Sequence, residues 1–194
     1  VNTGRDILAI DRETAERRWS VDPDNRPFRY SGAPAVLDGT VYAPEERTLT
    51  ARSIASGEVR WRHEFDRIFS RSSPVVVERS DGPLVYAAAG NTVKAIDGDT
   101  GESQWEQEIN GIVQHSIAYW PAGRYVATTG GDLYAITRQG FVDWRRTIES
   151  GIKSAPVVFT SDDHRTGTGV AVATGRGSVQ YFDHRGTLGW EASL

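Results

Sequence analysis

Three acidic residues stand at spacings that could bind a metal ion. Asp97 and Asp99 are two residues apart in the segment VKAIDGDTGESQW, and Glu108 is the twelfth residue counted from Asp97. A calcium loop of the EF-hand type needs acidic residues at its early odd positions, a glycine at the sixth and a glutamate at the twelfth. Here the fifth position is Gly101 and the sixth is Glu102. Because the glycine is misplaced, we expect no metal ion here.

Other residue types that could perform catalysis are isolated in the sequence. The glycine-rich stretch RTGTGVAVATGRG lacks the Gly-Lys-Ser/Thr of a phosphate-binding loop. Cysteine is absent, so the chain has no thiol nucleophile and no thiolate metal ligand. The four histidines are His63, His115, His164 and His184. None of them stands at the distance from a second possible ligand that a metal site requires. The sequence therefore shows no catalytic set of residues.

Composition and charge exclude two classes of partner. The formal net charge is −4 at pH 7, which does not suggest nucleic-acid binding. No apolar run is long enough for a transmembrane helix, and the first residues, VNTGRDILAI, do not resemble a signal peptide. We therefore expect neither nucleic acid as a partner nor a transmembrane segment.

The chain repeats itself, and tryptophan marks the repeat. Five tryptophans are separated by 42, 44, 39 and 46 residues, and a similar segment precedes each of them. Periods of about 20 to 50 residues are typical of propellers and solenoids. The best-preserved segment ends at Trp105, and its siblings end at Trp19, Trp61, Trp144 and Trp190.

Each repeat predicts four short β-strands. The apolar runs are rich in valine, alanine and aromatic residues and are bounded by Gly, Asp, Ser and Pro. No stretch has a sustained helical period, so we expect essentially no helix. Four strands per repeat predict an all-β propeller of four-stranded antiparallel blades. A β-sandwich is the alternative, but it does not explain a tryptophan at constant phase.

Comparison of the repeats gives the acidic segment a structural interpretation. Asp97 aligns with Asp11, and Gly101 aligns with Gly57. Asp side chains accept hydrogen bonds from nearby backbone amides in turns, and glycine adopts positive φ at no steric cost. The tryptophan that follows can cover the neighbouring blade with its indole. We expect a turn and docking motif made of Ala9, Asp11, Trp19, Trp61, Ala95, Asp97, Thr100, Gly101, Trp105, Trp144 and Trp190.

This motif resembles the repeat of the pyrroloquinoline-quinone-like (PQQ-like) β-propeller family. The family's tryptophan-docking signature, Ala-x-Asp-x-x-Thr-Gly-x-x-x-Trp, is complete from Ala95 to Trp105. In the first repeat Ala15 replaces the glycine, and the last two repeats are one residue shorter. The resemblance covers the whole chain. It specifies the fold but says little about function, because one fold hosts many activities.

Repeat boundaries predict a half blade followed by four blades in one propeller region, residues 1–194. We assign the half blade to residues 1–22 and the blades to residues 27–64, 66–109, 110–148 and 151–194. Quinoprotein members of the family typically have eight blades, and the two chain ends here do not complement each other to close a ring. The resemblance thus implies a fragment of a larger propeller. A four-bladed ring or a pair of chains forming one ring is the alternative.

The resemblance implies two functions of different classes. Quinoprotein dehydrogenases hold PQQ with calcium and commonly a vicinal cysteine pair, and this chain has no cysteine. We favour a non-catalytic, BamB-like binding or scaffold module without a cofactor, located extracytoplasmically. It would engage a protein partner or a small anionic ligand, and it could self-associate through open propeller edges. The alternative is part of a PQQ-dependent alcohol or sugar dehydrogenase. In that case, incubation of the full-length protein with PQQ and calcium should give quinone absorbance and dye reduction.

The innermost strands of a propeller line its central channel, and they suggest a ligand site. Aligned on the residue that opens each innermost strand, successive blades place Arg71, His115 and Lys153 at one position. Clustered positive charge attracts anions. We expect an anion-binding channel mouth made of Ser31, Arg71, Ser72, His115, Ser116, Lys153 and Ser154. The alternative is that polar residues simply begin solvent-exposed strands.

Overall fold

Short apolar runs punctuated by turn residues become β-strands throughout the chain. The structure is a computed structural model, and it describes residue 3 and residues 6–21, 32–159 and 168–193. Within these ranges every regular element is a strand, so no helix that could cross a membrane is found there. Ser31 and His164 lie outside the described residues, as do parts of the predicted half blade, first blade and last blade.

The strands group into one two-stranded and four four-stranded antiparallel sheets in the described residues. The half blade contains β1 (Ile7–Ile10) and β2 (Arg17–Val21). Blade 1 contains β3 (Ala35–Leu37), β4 (Thr40–Glu45), β5 (Thr48–Ser53) and β6 (Val59–Glu64). Blade 2 contains β7 (Val75–Val77), β8 (Leu84–Ala89), β9 (Thr92–Asp97) and β10 (Ser103–Glu108).

The last two blades repeat the same plan. Blade 3 contains β11 (Ala118–Trp120), β12 (Gly123–Ala127), β13 (Asp132–Thr137) and β14 (Val142–Thr147). Blade 4 contains β15 (Val157–Phe159), β16 (Gly169–Ala173), β17 (Ser178–Asp183) and β18 (Leu188–Ser193). The prediction of an all-β propeller with four-stranded antiparallel blades is confirmed.

Strand order within each four-stranded sheet follows the sequence. Each first strand is three residues long, and first strands of neighbouring blades approach each other, β3 with β7 and β11 with β15. First strands therefore lie on the inner radius, as in a propeller whose blades converge on a central channel.

The apolar cores lie between sheets. Alternate residues of β8 face opposite neighbours: Tyr86 and Ala88 pack in the cluster shared with blade 3, whereas Val85 and Ala87 pack in the cluster shared with blade 1. A strand covered on both faces carries apolar residues at successive positions. This explains why all six residues of β8 are buried.

Four of the five docking tryptophans stand opposite an alanine on the neighbouring strand of their own blade. Trp61 pairs with Ala51, and Trp105 pairs with Ala95. The same register joins Trp19 to Ala9 and Trp144 to Ala135, whereas Trp190 is opposite Tyr181. A bulge next to each pair increases the local twist of the outer strand.

Candidate functional site

Tryptophans of successive blades bind the next blade through one repeated contact. The indole Nε1 of Trp61 donates a hydrogen bond to the Gly98 carbonyl at 2.8 Å, and Trp105 donates to the Arg138 carbonyl at 3.0 Å. Equivalent bonds join Trp19 to the Ile54 carbonyl and Trp144 to the His184 carbonyl. Trp190, in blade 4, is 45% exposed and stacks on Tyr181. Trp19, Trp61, Trp105 and Trp144 thus join neighbouring sheets.

The acidic segment builds the turn that receives this contact. Asp97 Oδ1 accepts hydrogen bonds from the backbone amides of Asp99 and Thr100 and from the Thr100 hydroxyl. The amide of Gly101 donates to the Asp97 carbonyl at 2.9 Å, which closes the turn. The carboxylate is therefore engaged with the backbone of its own turn, a role that needs no ligand.

The first repeat shows the same turn with an additional ion pair. Asp11 accepts hydrogen bonds from the amides of Glu13 and Thr14, and Arg18 forms an ion pair with its second carboxylate oxygen. The Arg18 guanidinium and these amides hold the pKa of Asp11 well below its usual range. Hydrogen bonds to the charged form have this effect on any carboxyl group.

The last two repeats are one residue shorter, and this difference lies in the turn. In blade 2 the Asp97 amide bonds the carbonyl five residues later, at Glu102. In blades 3 and 4 the corresponding bonds span four residues, from Thr137 to Phe141 and from Asp183 to Thr187. The turn glycine nevertheless stays against the preceding blade's tryptophan, Gly140 against Trp105 and Gly186 against Trp144.

Residues predicted for the channel mouth differ in their accessibility. Arg71 is exposed and has φ of 65°, whereas Ser72 is fully buried and its hydroxyl has no hydrogen-bond partner among the described residues. A Cβ added to Gly32 would lie 2.3 Å from the Ser72 carbonyl oxygen, so these neighbouring segments are in close contact. The Ser72 side chain is therefore packed against its neighbours and is not exposed to solvent.

The mouth residues of blades 3 and 4 also divide into exposed and covered groups. Lys153 is exposed, whereas His115 and Ser116 are half-buried. Burial lowers the pKa of His115 below its ordinary value of 6.5, which favours the neutral imidazole. The Ser154 hydroxyl accepts a hydrogen bond from the Ala173 amide at 3.0 Å. The positive charge predicted for the mouth thus comes from Arg71 and Lys153.

A groove beside Arg71 was not foreseen from the sequence. Ile68 and Ile112, which are 54% and 45% exposed, line a cavity of about 340 Å³ together with Arg67, Ser70, Gly90, Asn91 and Gly111. Ile68 stands three residues before Arg71, and Ile112 stands three residues before His115. This repeated spacing is the signal that could have revealed the groove.

The described residues do not supply ligands for a calcium-bound quinone. In this part of the chain no three His, Asp or Glu side chains come together as a metal site requires. The full sequence has no cysteine that could stack on a quinone as a vicinal pair. The donor chemistry present therefore does not fit PQQ with calcium.

Comparison with known proteins identifies a matching family and a related protein sequence. The sequence profile of the family described as outer membrane protein assembly factor BamB matches residues 1–118 and 89–194. The serine/threonine-protein kinase AfsK of Streptomyces griseus is 27% identical over 178 residues, which are 87% of this chain and 22% of the kinase. The chain therefore spans about a fifth of that relative's length.

Solved structures of two kinds share the fold. BamB from Moraxella catarrhalis aligns with a TM-score of 0.65 at 16% identity, over 98% of this chain and 71% of that protein. A europium-containing methanol dehydrogenase aligns with a TM-score of 0.75 at 13% identity, over 97% of this chain and 47% of the enzyme. At these identities the likeness shows the fold alone, because unrelated activities share propeller folds.

Proposed function

The chain belongs to the family described as outer membrane protein assembly factor BamB, and on that premise we propose that it is a non-catalytic β-propeller scaffold that binds a protein partner at its channel face. An extracytoplasmic location is part of this proposal, because the family's description refers to the outer membrane. Arg71 and Lys153 would recognise acidic groups of the partner, since both are exposed cations at equivalent positions of their blades.

The groove beside Arg71 is the observation that carries this proposal. Two large aliphatic side chains, Ile68 and Ile112, are about half exposed there. Ser70, which also lines the groove, directly precedes the exposed Arg71 in the chain. Exposed apolar groups that line a concave surface with polar groups at its edge are typical of binding sites. The partner segment that fits such a surface combines an aliphatic side chain for the groove with a carboxylate for Arg71.

Peptides selected from a displayed library on the native chain would test this site. Enriched peptides should combine acidic and aliphatic residues, and their affinity should fall as salt rises because exposed charge pairs are screened. The double substitution Arg71→Ala and Lys153→Ala should weaken binding by about tenfold or more, as truncation of paired interface charges does.

Arg185→Ala is the matched control for charge. Arg185 is exposed in the turn between β17 and β18 of blade 4, at the opposite end of the strands from the mouth. Peptides should bind this variant as they bind the native chain. Equal affinity of the native chain and the double variant at every salt concentration would rule out the mouth as the binding site.

Self-association is proposed as a second mode of binding. Blade 4 has Val157, Phe159 and Trp190 exposed on the side that the other blades use to contact a following blade. Tyr181 stacks on Trp190 with ring centroids 5.4 Å apart, which gives this face a continuous aromatic surface. An exposed edge of this kind favours pairing with a further sheet or a second copy.

A further inference from the structure

A buried arginine between blades 2 and 3 has no anionic partner in the part of the chain that the structure describes. Arg124, on β12, is 2% exposed. Its Nε and Nη1 atoms are buried without a hydrogen-bond partner, and it takes part in none of the described ion pairs. Burial of a charged group without a counter-ion is strongly unfavourable, and removal of one partner from a buried ion pair is correspondingly costly.

The repeat shows that the fold itself does not require an arginine here. The strand register places Arg124 at the position held by Val41, Val85 and Val170 in the other three blades. Its cross-strand partner is Tyr119, where the other blades have Val36, Val76 and Val158. Blade 3 therefore departs from its siblings at two facing positions, and it exchanges an apolar pair for a cation and an aromatic ring.

Two aromatic rings contact the Arg124 guanidinium, and neither of them gives it an anionic partner. The Arg124 Cζ lies 3.8 Å from the centroid of the Tyr86 ring and 5.3 Å from that of Tyr119. Cation–π contacts of this kind attract the cation electrostatically. They do not replace an oxygen acceptor, so the buried Nε and Nη1 donors are still unsatisfied by the described residues.

Another buried arginine of the same chain has hydrogen-bond acceptors within the protein. Arg52 is 6% exposed, and its Nε and Nη2 atoms both donate to Glu45 Oε1, at 3.2 and 3.0 Å. Its Nη1 donates to the Gly57 carbonyl. Arg52 thus has an internal carboxylate and a carbonyl, whereas Arg124 has neither in the described residues.

The surroundings of Arg124 increase the local positive charge. Burial lowers the pKa of Arg124 to about 10, and the charges of Arg138 and Arg79 act in the same direction. The guanidinium therefore stays charged at neutral pH. Arg79 is paired with Asp81 at 2.6 Å, whereas Arg138 forms no ion pair with another described residue. An anion entering this seam would meet two cations without carboxylate partners.

We propose that the seam between blades 2 and 3 binds a small oxyanion, a carboxylate or a phosphate, on the unsatisfied N–H donors of Arg124. Arginine is suited to this role because its planar fork matches the oxygens of both groups. Arg124 follows closely after the exposed turn at residues 121 and 122, so the site lies near the surface. It is at the opposite end of the inner strands from Arg71 and Lys153, and it does not depend on the partner proposed for the mouth.

Thermal unfolding at constant ionic strength tests the proposal with sodium phosphate, sodium acetate and sodium chloride. A ligand at ten times its Kd should raise the Tm of the native chain by about 3–6 °C. Arg124→Val, which copies the sibling blades, should lose this response while its Tm without oxyanion is equal or higher. The control Arg62→Gln removes an exposed cation elsewhere and should respond as the native chain does.

A second measurement keeps the test decisive if Arg124→Val does not fold. The Nε–H resonance of Arg124, identified as the signal lost in Arg124→Lys, should shift on addition of phosphate or acetate to the native chain, with saturation. A response to only one of the two identifies the class of oxyanion. The proposal is overturned if neither anion moves that resonance or the native Tm, if chloride acts equally, or if Arg124→Val responds as the native chain does.

Discussion

The glycine of the docking turn meets two requirements at once. Gly101 has φ of 79°, a left-handed conformation that is unfavourable for other residues. A Cβ added to it would lie 2.7 Å from Trp61 Cδ2 of the preceding blade. The absence of a side chain therefore permits both the turn and the close approach of the indole, and a substitution would affect both.

Two alanine substitutions separate these requirements. Gly177 has φ of 75°, but no atom of the described residues lies within 4 Å of an added Cβ, so Gly177→Ala measures the backbone effect alone. We expect Gly177→Ala to lower the free energy of unfolding by about 1–2 kcal/mol. Gly101→Ala should cost about 1–3 kcal/mol more because the indole must move. Urea unfolding measures both, and equal losses would show that the indole contact at Gly101 is not constraining.

At the scale of the strand and turn, the docking contact joins separate sheets. Trp61 is 8% exposed, and its indole combines apolar burial with a hydrogen bond to the Gly98 carbonyl. His63, two residues later on β6, makes a second hydrogen bond across the same boundary, to the Gly101 carbonyl at 2.8 Å. One outer strand therefore holds the next blade at two points.

Loss of a buried docking tryptophan should destabilise the chain strongly. We expect Trp61→Ala to lower the free energy of unfolding by about 3–5 kcal/mol, the range found for large aromatic residues in cores. Trp190→Ala is the matched control, because Trp190 is 45% exposed and should cost about 1 kcal/mol or less. Urea unfolding compares the two variants. A comparable loss at both positions would contradict a specific role for docking between blades.

The strands and their grouping into blades could be predicted, because short apolar runs and turn residues are local signals. The turn of blade 3 shows the limit of such local signals. The sequence shows that this repeat is one residue shorter, but it does not show the contact of Gly140 with Trp105. The burial of Ser72 and His115 depends on neighbouring blades, and no local pattern records that packing. Arg124 was missed for the same reason, since its burial follows from the fold.

At the scale of the whole molecule, the described sheets end in an uncovered aromatic face. Phe159 and Trp190 of blade 4 are 49% and 45% exposed. Phe159 contacts Tyr181 edge to face, and Tyr181 stacks on Trp190. In blades 1 to 3 the corresponding side packs against a following blade, so this face has the composition of a core surface.

Sedimentation velocity over a range of protein concentrations tests whether this face self-associates. We expect reversible association of the native chain, because burial of apolar surface favours pairing. Phe159→Lys should shift the equilibrium towards monomer. Phe141→Lys is the matched control, since Phe141 is 68% exposed in a turn of blade 3 away from that face. Association that is unchanged in Phe159→Lys would assign it to another surface.

The position of the apolar cores between sheets also sets the order in which the chain would open. Stability in such repeats is approximately a sum of contributions from each unit and from its contacts with nearest neighbours. Blade 4 shares one core with a described neighbour, whereas blades 2 and 3 share two each. The half blade also shares one core, the small cluster of Ile7, Ala43 and Trp19. Among the described sheets we therefore expect the half blade and β18 to open before the others, and the amides of β8 and β12 to be the slowest to exchange with solvent.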